Sequence, residues 1–418
     1  MRNLSDKKIP TAKDMAIDFL MKNPLWNFIP GRFRSMCGVT LKRDVNINVL
    51  FAGFGSLPRE MFYYISSSVQ FAKEGSELPA FVQYTAVCGS EERVVAEKEL
   101  SDGFYRYKSF LSGLSEEAQA NYLPVVPLFY DISFKEADGD LAAVTAETVK
   151  EIILDKNNFL FVFIEESELD ALNGILESGD NVVIFCRRTL RKESGLSQYE
   201  RLFYYGDFSA DNLSEIPDKR AIAAFIAARN ILYDSSFDDF NADFIQQEVI
   251  KKAYGDVQNI CACIGLVNYL ASIGFAVEKD EKDGDDCDTA GEFEKAYQSE
   301  CNAVGEGKKR DSSRAIIGRC EHYRWFACMI NCGYVPAKIS DVVCGKKPGY
   351  VGFSNGKNVE KRTHGNLTDI AGLGMFSRLV AARDGEKEPK NLAELDLQLT
   401  DNALYLVNAM GYKLKKRG

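Results

Sequence analysis

The chain is poor in histidine and tryptophan, with two of each in 418 residues. Proton transfer in enzymes draws most often on histidine, so any such site here has almost no choice of residue. No apolar run reaches the roughly 20 residues that span a bilayer, and no membrane insertion is expected. Residues 1–13 are polar and hold no apolar h-region, so no secretory signal is expected either. An excess of positive charge is also missing. Lys and Arg total 51 against 61 Asp and Glu, a formal net charge of −10. Binding a nucleic-acid backbone needs a basic face, so general nucleic-acid binding is not expected. A local basic pocket for a small phosphorylated ligand is compatible with this balance. The eleven cysteines are scattered. Cys186, Cys261 and Cys263 fall in segments that read as strand or helix core. Without a secretory signal, free buried thiols in a reducing cytosol are the better reading than disulfides, and a cytoplasmic location is expected.

What is present is alternation. The length is comfortable for two domains. Residues 1–45 read as a helical or irregular lead-in that packs on the domain after it. From 46 onward strands and helices alternate. Segments 47–54, 80–88, 122–132, 159–165, 181–186 and 201–205 read as strands. Segments 58–73, 91–120, 143–154, 168–177 and 219–233 read as helices. Short apolar strands between helices predict an α/β, doubly wound, mostly parallel Rossmann-like sheet over 46–235, with ligand at the carboxyl ends of its strands. After 235 no strand signal is convincing. Segments 244–254, 257–274, 292–301, 314–332 and 393–410 read as helices. The acidic run 278–288 reads as a solvated loop without the spacing of an EF-hand. Residues 236–309 form a helical connector and 310–418 a mainly helical last unit.

Two segments carry chemistry. Gly53-Phe54-Gly55-Ser56-Leu57-Pro58 follows the first strand and opens a helix. In that context glycines let a backbone approach a pyrophosphate, which rests on the helix N-terminus. Gly53, Gly55 and Ser56 are therefore candidates for binding NAD or another adenine nucleotide. Pro58 replaces the third glycine. The second strand ends Val87-Cys88-Gly89, where an acid for the ribose is expected, and Glu91 or Glu92 could substitute. The alternative is a tight strand-to-helix turn with no ligand.

The second segment is Glu321-His322-Tyr323-Arg324-Trp325, followed by Gly333-Tyr334 and Thr363-His364-Gly365-Asn366-Leu367. It contains both histidines and one of the two tryptophans. On a helix Glu321, Arg324 and Trp325 share a face, and His322 points about 100° away from Glu321. A carboxylate, a guanidinium and an indole suit a planar or phosphorylated group. The alternative is an intrahelical ion pair beside a core tryptophan. Cys320, His322, Cys328 and Cys332 could suggest zinc, but ligands mostly from one helix cannot readily surround a tetrahedral ion. No metal is expected. Lys338, Lys346, Lys347, Lys357, Lys361 and Arg362 make the one locally basic stretch, read as a solvated loop or a phosphate-facing flap. The first half has no histidine, no Tyr-x-x-x-Lys dyad, no G-x-S-x-G elbow and no P-loop.

Over about 46–235 the chain resembles the TrkA-type, potassium-transport Rossmann domain. The resemblance rests on Val49-Leu50-Phe51-Ala52-Gly53-Phe54-Gly55, Phe129-Tyr130-Asp131-Ile132 and Phe161-Val162-Phe163-Ile164. It implies that Asp131 helps to hold a nucleotide. Over about 310–376 the Glu-His-x-Arg-Trp helix, the Gly-aromatic pair and the later His-x-x-Leu resemble the RyR domain, named from ryanodine receptor repeats. His364-Gly365 stands where that family carries His-Pro. This resemblance implies a ligand-binding set of Glu321, His322, Arg324, Trp325 and His364. Together the two imply a regulatory protein that senses a nucleotide-like ligand without catalysis, with room for a separate membrane partner and for a homo-oligomer. The alternatives are an NAD(P)-dependent oxidoreductase and a non-catalytic interaction module.

Overall fold

The computed structural model describes residues 10–173, 175, 180–187, 200–205, 218–233, 256–279, 289–301, 311–344 and 357–417. Helix α1 (Ala12–Lys22) opens the described chain. A capping box fixes its start: Asp14 N–H donates to Thr11 Oγ1 at 3.2 Å, and Thr11 N–H to Asp14 Oδ2 at 3.0 Å. Then come β1 (Asn46–Ala52), α2 (Ser56–Ser68), β2 (Val82–Cys88), α3 (Ser90–Ser101), α4 (Phe104–Ser112), α5 (Glu116–Gln119) and β3 (Tyr130–Glu136). Next are α6 (Leu141–Ile153), β4 (Asn158–Glu165), β5 (Val182–Arg187) and β6 (Leu202–Tyr205). These six strands form one parallel sheet in the order β3-β2-β1-β4-β5-β6. That is the doubly wound Rossmann-like order, and the expected α/β sheet is present.

Alternate residues of β1 feed two different cores. Ile47, Val49 and Phe51 enter the larger one, while Leu50 and Ala52 enter a smaller one against α6. Burial on both faces is why the strand reads as a continuous apolar run. The third strand begins at Tyr130 rather than at 122. Pro124 and Pro127 precede it, and proline has no N–H to give a ladder. Within 168–177 the chain makes a short 3-10 turn, Leu169–Leu172.

The second half contributes α7 (Lys219–Tyr233), α8 (Val257–Ser272), β7 (Phe275–Lys279), α9 (Thr289–Tyr297), β8 (Glu300–Cys301) and β9 (Asp311–Ser312). It continues with α10 (Ser313–Asn331), β10 (Val335–Pro336), α11 (Ile339–Cys344), β11 (Lys357–Asn358) and β12 (Thr363–His364). It closes with α12 (Ile370–Asp384), α13 (Leu392–Asp401), α14 (Ala403–Ala409) and β13 (Tyr412–Lys416). Helix α8 is buried all round from Asn259 to Ala271, and a helix apolar on every side belongs in a core. It packs against α2, α7, α10 and α13. One continuous apolar core therefore joins Phe19, Phe51 and Tyr64 to Ile264, Phe326 and Leu406.

The absence of strands after 235 is corrected by β7 and β13, which pair antiparallel from Tyr412↔Lys279 to Lys416↔Phe275. Each is short and the two lie far apart in sequence, so no hairpin turn announces them. Short strands β10, β12 and β11 form a second small sheet at the borders of the locally basic stretch from Lys338 to Arg362. Segment 393–410 is two helices that break at Asn402. The helix expected over 244–254, most of the acidic run 278–288, and Lys346 and Lys347 lie outside the described residues. Among the described residues, no helix is long and apolar enough to cross a membrane.

Candidate functional site

The glycine turn sits at the carboxyl end of β1, beside β4, where the strand order reverses. Ligands of open α/β sheets bind at such a switch point. Gly53 has φ +79°, a left-handed backbone that a side chain would strain. Gly55 caps α2 and Ser56 is exposed at its first turn. The turn already holds a carboxylate. Phe54 N–H donates to Glu92 Oε2 at 3.0 Å, and a Cβ on Gly55 would lie 3.4 Å from Glu92 Oε1. Of the two acids that could stand in for the ribose-binding residue, Glu92 reaches the turn, from the first turn of α3.

Asp131 is not at this turn. It is the second residue of β3, level with Gln83, which is itself level with Asn48 near the start of β1. Strands rise about 3.3 Å per residue, so Asp131 stands at the opposite, amino-terminal edge of the sheet. There both of its oxygens accept from Lys108 Nζ at 2.8 Å. The resemblance placed it with the nucleotide; the register removes it. The acids at the carboxyl end of β3 are Glu136, its last residue, and Asp138 just beyond, which accepts from Ser90 N–H at 3.4 Å.

The second site is built on α10. Ser312 starts this helix by accepting from Ala315 N–H at 3.2 Å. Glu321 and Arg324 form a bidentate pair, Nε to Oε2 at 2.6 Å and Nη2 to Oε1 at 2.8 Å. Both are buried, Arg324 completely. Burial works against the Arg324 charge, but Glu321 outweighs it and holds the guanidinium pKa above its ordinary value. The Arg324 stem runs across α8, where a Cβ on Gly265 would stand 2.6 Å from Cδ. Part of the bland expectation is thus realised: these two residues are an intrahelical ion pair.

His322, Trp325 and His364 face a cavity of about 280 Å³, together with Glu321, Asn366 and Asp396. Arg324 does not line it and stands behind Glu321. His322 Nε2 lies 2.7 Å from Thr368 O and Nδ1 3.1 Å from Asp396 Oδ2. Both partners are acceptors, an arrangement that favours the imidazole with a proton on each nitrogen. Burial opposes that charge, yet the Asp396 hydrogen bond and charge prevail and raise the His322 pKa. His364 is the reverse. Its Nδ1 accepts from Asn366 N–H at 3.1 Å, leaving the proton on Nε2. Burial, assisted by Lys357, pushes its pKa down to about 3. Trp325, half-buried, meets the His364 ring edge-on at 5.0 Å and lies beside the His322 ring at 6.4 Å.

The loop that brings His364 is tightly packed. Thr368 Oγ1 donates to Pro124 O at 2.7 Å. Gly365 lies directly on Phe376, where any Cβ would overlap the ring. A proline after His364 would carry that Cβ, which is a physical reason for glycine here. Asp396, Arg229 and the leucines 373, 392 and 395 complete the wall. No sequence signal marks them, because they arrive from α7, α12 and α13 by packing alone. Asn366 stood inside the quoted motif without a role assigned to it.

The possible zinc array splits three ways, with only Cys328 and Cys332 staying together. His322 faces this cavity, Cys320 a different one, and Cys328 is buried beside Cys261. Among the described residues, no group of three or more His, Cys, Asp or Glu is placed to hold a metal ion. No family model, no curated protein and no solved structure matches the chain.

Proposed function

We propose that this protein is a ligand sensor that takes the planar part of a nucleotide-like molecule into the cavity beside Trp325, without turnover. The observation that carries this reading is the convergence of Trp325, both histidines and Asn366 on one cavity of about 280 Å³. That volume is near the small end of ligand sites, about 300–1,000 Å³, and suits a base or nucleoside better than a dinucleotide. The cavity's strongest charges are spent inside the protein: Glu321 on Arg324, and His322 on Asp396. What faces a ligand is an indole surface for stacking, the His364 Nε2–H, and the Asn366 side-chain carbonyl. That carbonyl oxygen is buried with no partner, and a ligand donor would relieve its cost.

The same arrangement argues against proton-transfer chemistry. Glu321 is engaged at both oxygens, His322 is engaged at both nitrogens, and His364 resists protonation. Glu321 and His322 therefore have no ring nitrogen or carboxylate oxygen free to exchange a proton with a substrate, and His364, pushed down to about 3, is a poor base. The glycine turn is the weaker site, because a pyrophosphate would have to displace the Glu92 carboxylate from Phe54 N–H. Two contacts support a route for the signal. Arg324 links the cavity wall to α8, and Asn331 at the end of α10 donates to Ser66 and Ser67 of α2 at 2.9 and 2.8 Å.

The test is a titration of nucleosides and mononucleotides into the Trp26→Phe protein, read by Trp325 fluorescence and by calorimetry. Binding should change the fluorescence and should be lost in His364→Ala, with the fold checked by circular dichroism. Binding that persists in Trp325→Leu, or no binding by any nucleotide, overturns the reading.

A further inference from the structure

A larger cavity, of about 470 Å³, lies on another side of α10. Cys37 from the lead-in, Cys301 from β8 and Cys320 from α10 all line it, with Lys73, Arg319 and Tyr323. Cys37 belongs to a tight turn in which Ser35 N–H donates to Thr40 O at 2.8 Å and Gly38 has φ +76°. That turn holds two hydroxyls at the sulfur: Ser35 Oγ at 3.1 Å and Thr40 Oγ1 at 3.7 Å. Cys301, buried, approaches from β8 and has Ser313 Oγ at 4.0 Å.

We propose that Cys37 and Cys301 are a peroxide-reactive dithiol, with Cys37 the attacking and Cys301 the resolving residue. The Cys37 thiolate attacks one oxygen of a small hydroperoxide. The O–O bond breaks, the alcohol or water leaves with a proton from solvent, and Cys37 becomes a sulfenic acid. Cys301 then attacks the Cys37 sulfur, gives up its proton, and water leaves as the disulfide forms. Two thiols and one hydroperoxide give one disulfide, one alcohol (or water) and one water; the two electrons come from the sulfurs.

Exposure divides the roles in this direction: Cys37 is half-buried and open to a small peroxide, while Cys301 is buried behind it, and the electrostatics agree. The neighbouring Cys301 thiol outweighs burial and, with the two hydroxyls, brings the Cys37 thiol down to about 4. The same contact, together with burial, drives the Cys301 thiol upward. A thiolate beside a retained thiol is the pairing that peroxide attack and resolution require. Burial pushes Cys320 up to about 12, so it stays a protonated bystander. Lys73 and Arg319 share the wall with Glu74, Glu77 and Asp311, and Asp311 pairs Arg319 at 2.7 Å, so no net positive charge is needed for these roles. Cys328 and Cys332 also neighbour each other, but they are one turn apart on α10 and its cap, where the helix opposes disulfide geometry.

The experiment treats the full-length reduced protein with one equivalent of hydrogen peroxide, followed by non-reducing peptide mapping. The expected product is a Cys37–Cys301 disulfide, with two thiols lost per peroxide. Cys301→Ser should stop at a Cys37 sulfenic acid that dimedone labels, and Cys37→Ser should remove both products. Cys320→Ser should change nothing. Melting temperatures establish that each variant folds. Oxidation at Cys332 ahead of Cys37, reaction with glutathione disulfide but not with peroxide, or unchanged oxidation of Cys37→Ser would each overturn the proposal.

Discussion

Arg324 lies across Gly265 so closely that one added carbon on the glycine would stand 2.6 Å from its Cδ. The guanidinium beyond that crossing is what holds Glu321 at the cavity wall. A residue expected to touch ligand therefore acts one step behind it.

Gly265→Ala should destabilise the protein by about 1–3 kcal/mol, the usual cost of overpacking a core. The Ser68 carbonyl, 3.2 Å from the new Cβ, closes the other escape. Urea denaturation measures it, and an unchanged midpoint would refute the crossing.

Arg324→Met alone should cost about 3–5 kcal/mol, because it leaves a buried, uncompensated Glu321. Glu321→Gln combined with Arg324→Met should recover much of that loss. A double-mutant cycle reads the coupling, and additive losses would show that the pair is not a unit.

The two histidines should pull stability in opposite directions with pH. His322 has a raised folded pKa. Its contribution is full below the unfolded value, near 6.5, and is lost as pH rises through the folded value. His364 has a folded pKa of about 3. Its neutral form is favoured above about pH 6.5, and stability is lost as pH falls from there toward the folded value. Melting curves from pH 4 to 9 should show Asp396→Asn losing the alkaline slope, and His364→Asn the acid one. Parallel curves for all three proteins would contradict both assignments.

Glu92→Ala should open the glycine turn to anions. Calorimetry with NAD should show tighter binding to the variant than to the wild type, since Phe54 N–H is released and a negative charge is removed. Equal binding to both proteins would mean that Glu92 does not guard the turn.

Much of the sheet was legible in the sequence, because β1, β2, β4 and β5 are short apolar runs whose burial on both faces leaves no alternation to misread. The start of β3 was misplaced where Pro124 and Pro127 interrupt an otherwise strand-like run. The β7–β13 ribbon escaped notice because each strand has five residues and its partner is remote. The clustering of Glu321, His322, Trp325 and His364 could be suspected from their rarity. Asp396 could not, since what makes it important is one 3.1 Å contact between separate helices. Asp131 failed for a related reason: a motif gives the strand but not which end of it faces the ligand.

Asn331 has a further consequence. Its amide nitrogen holds Ser66 and Ser67 of α2, and its carbonyl accepts from the Tyr130 hydroxyl of β3 at 2.9 Å. One side chain thus fastens the end of α10 to the sheet, inside a core shared by both halves. The histidine–tryptophan unit is consequently not a portable module. Grafted onto another protein without α2, α8 and the sheet, it would carry an exposed apolar flank and lose the scaffold that shapes its cavity.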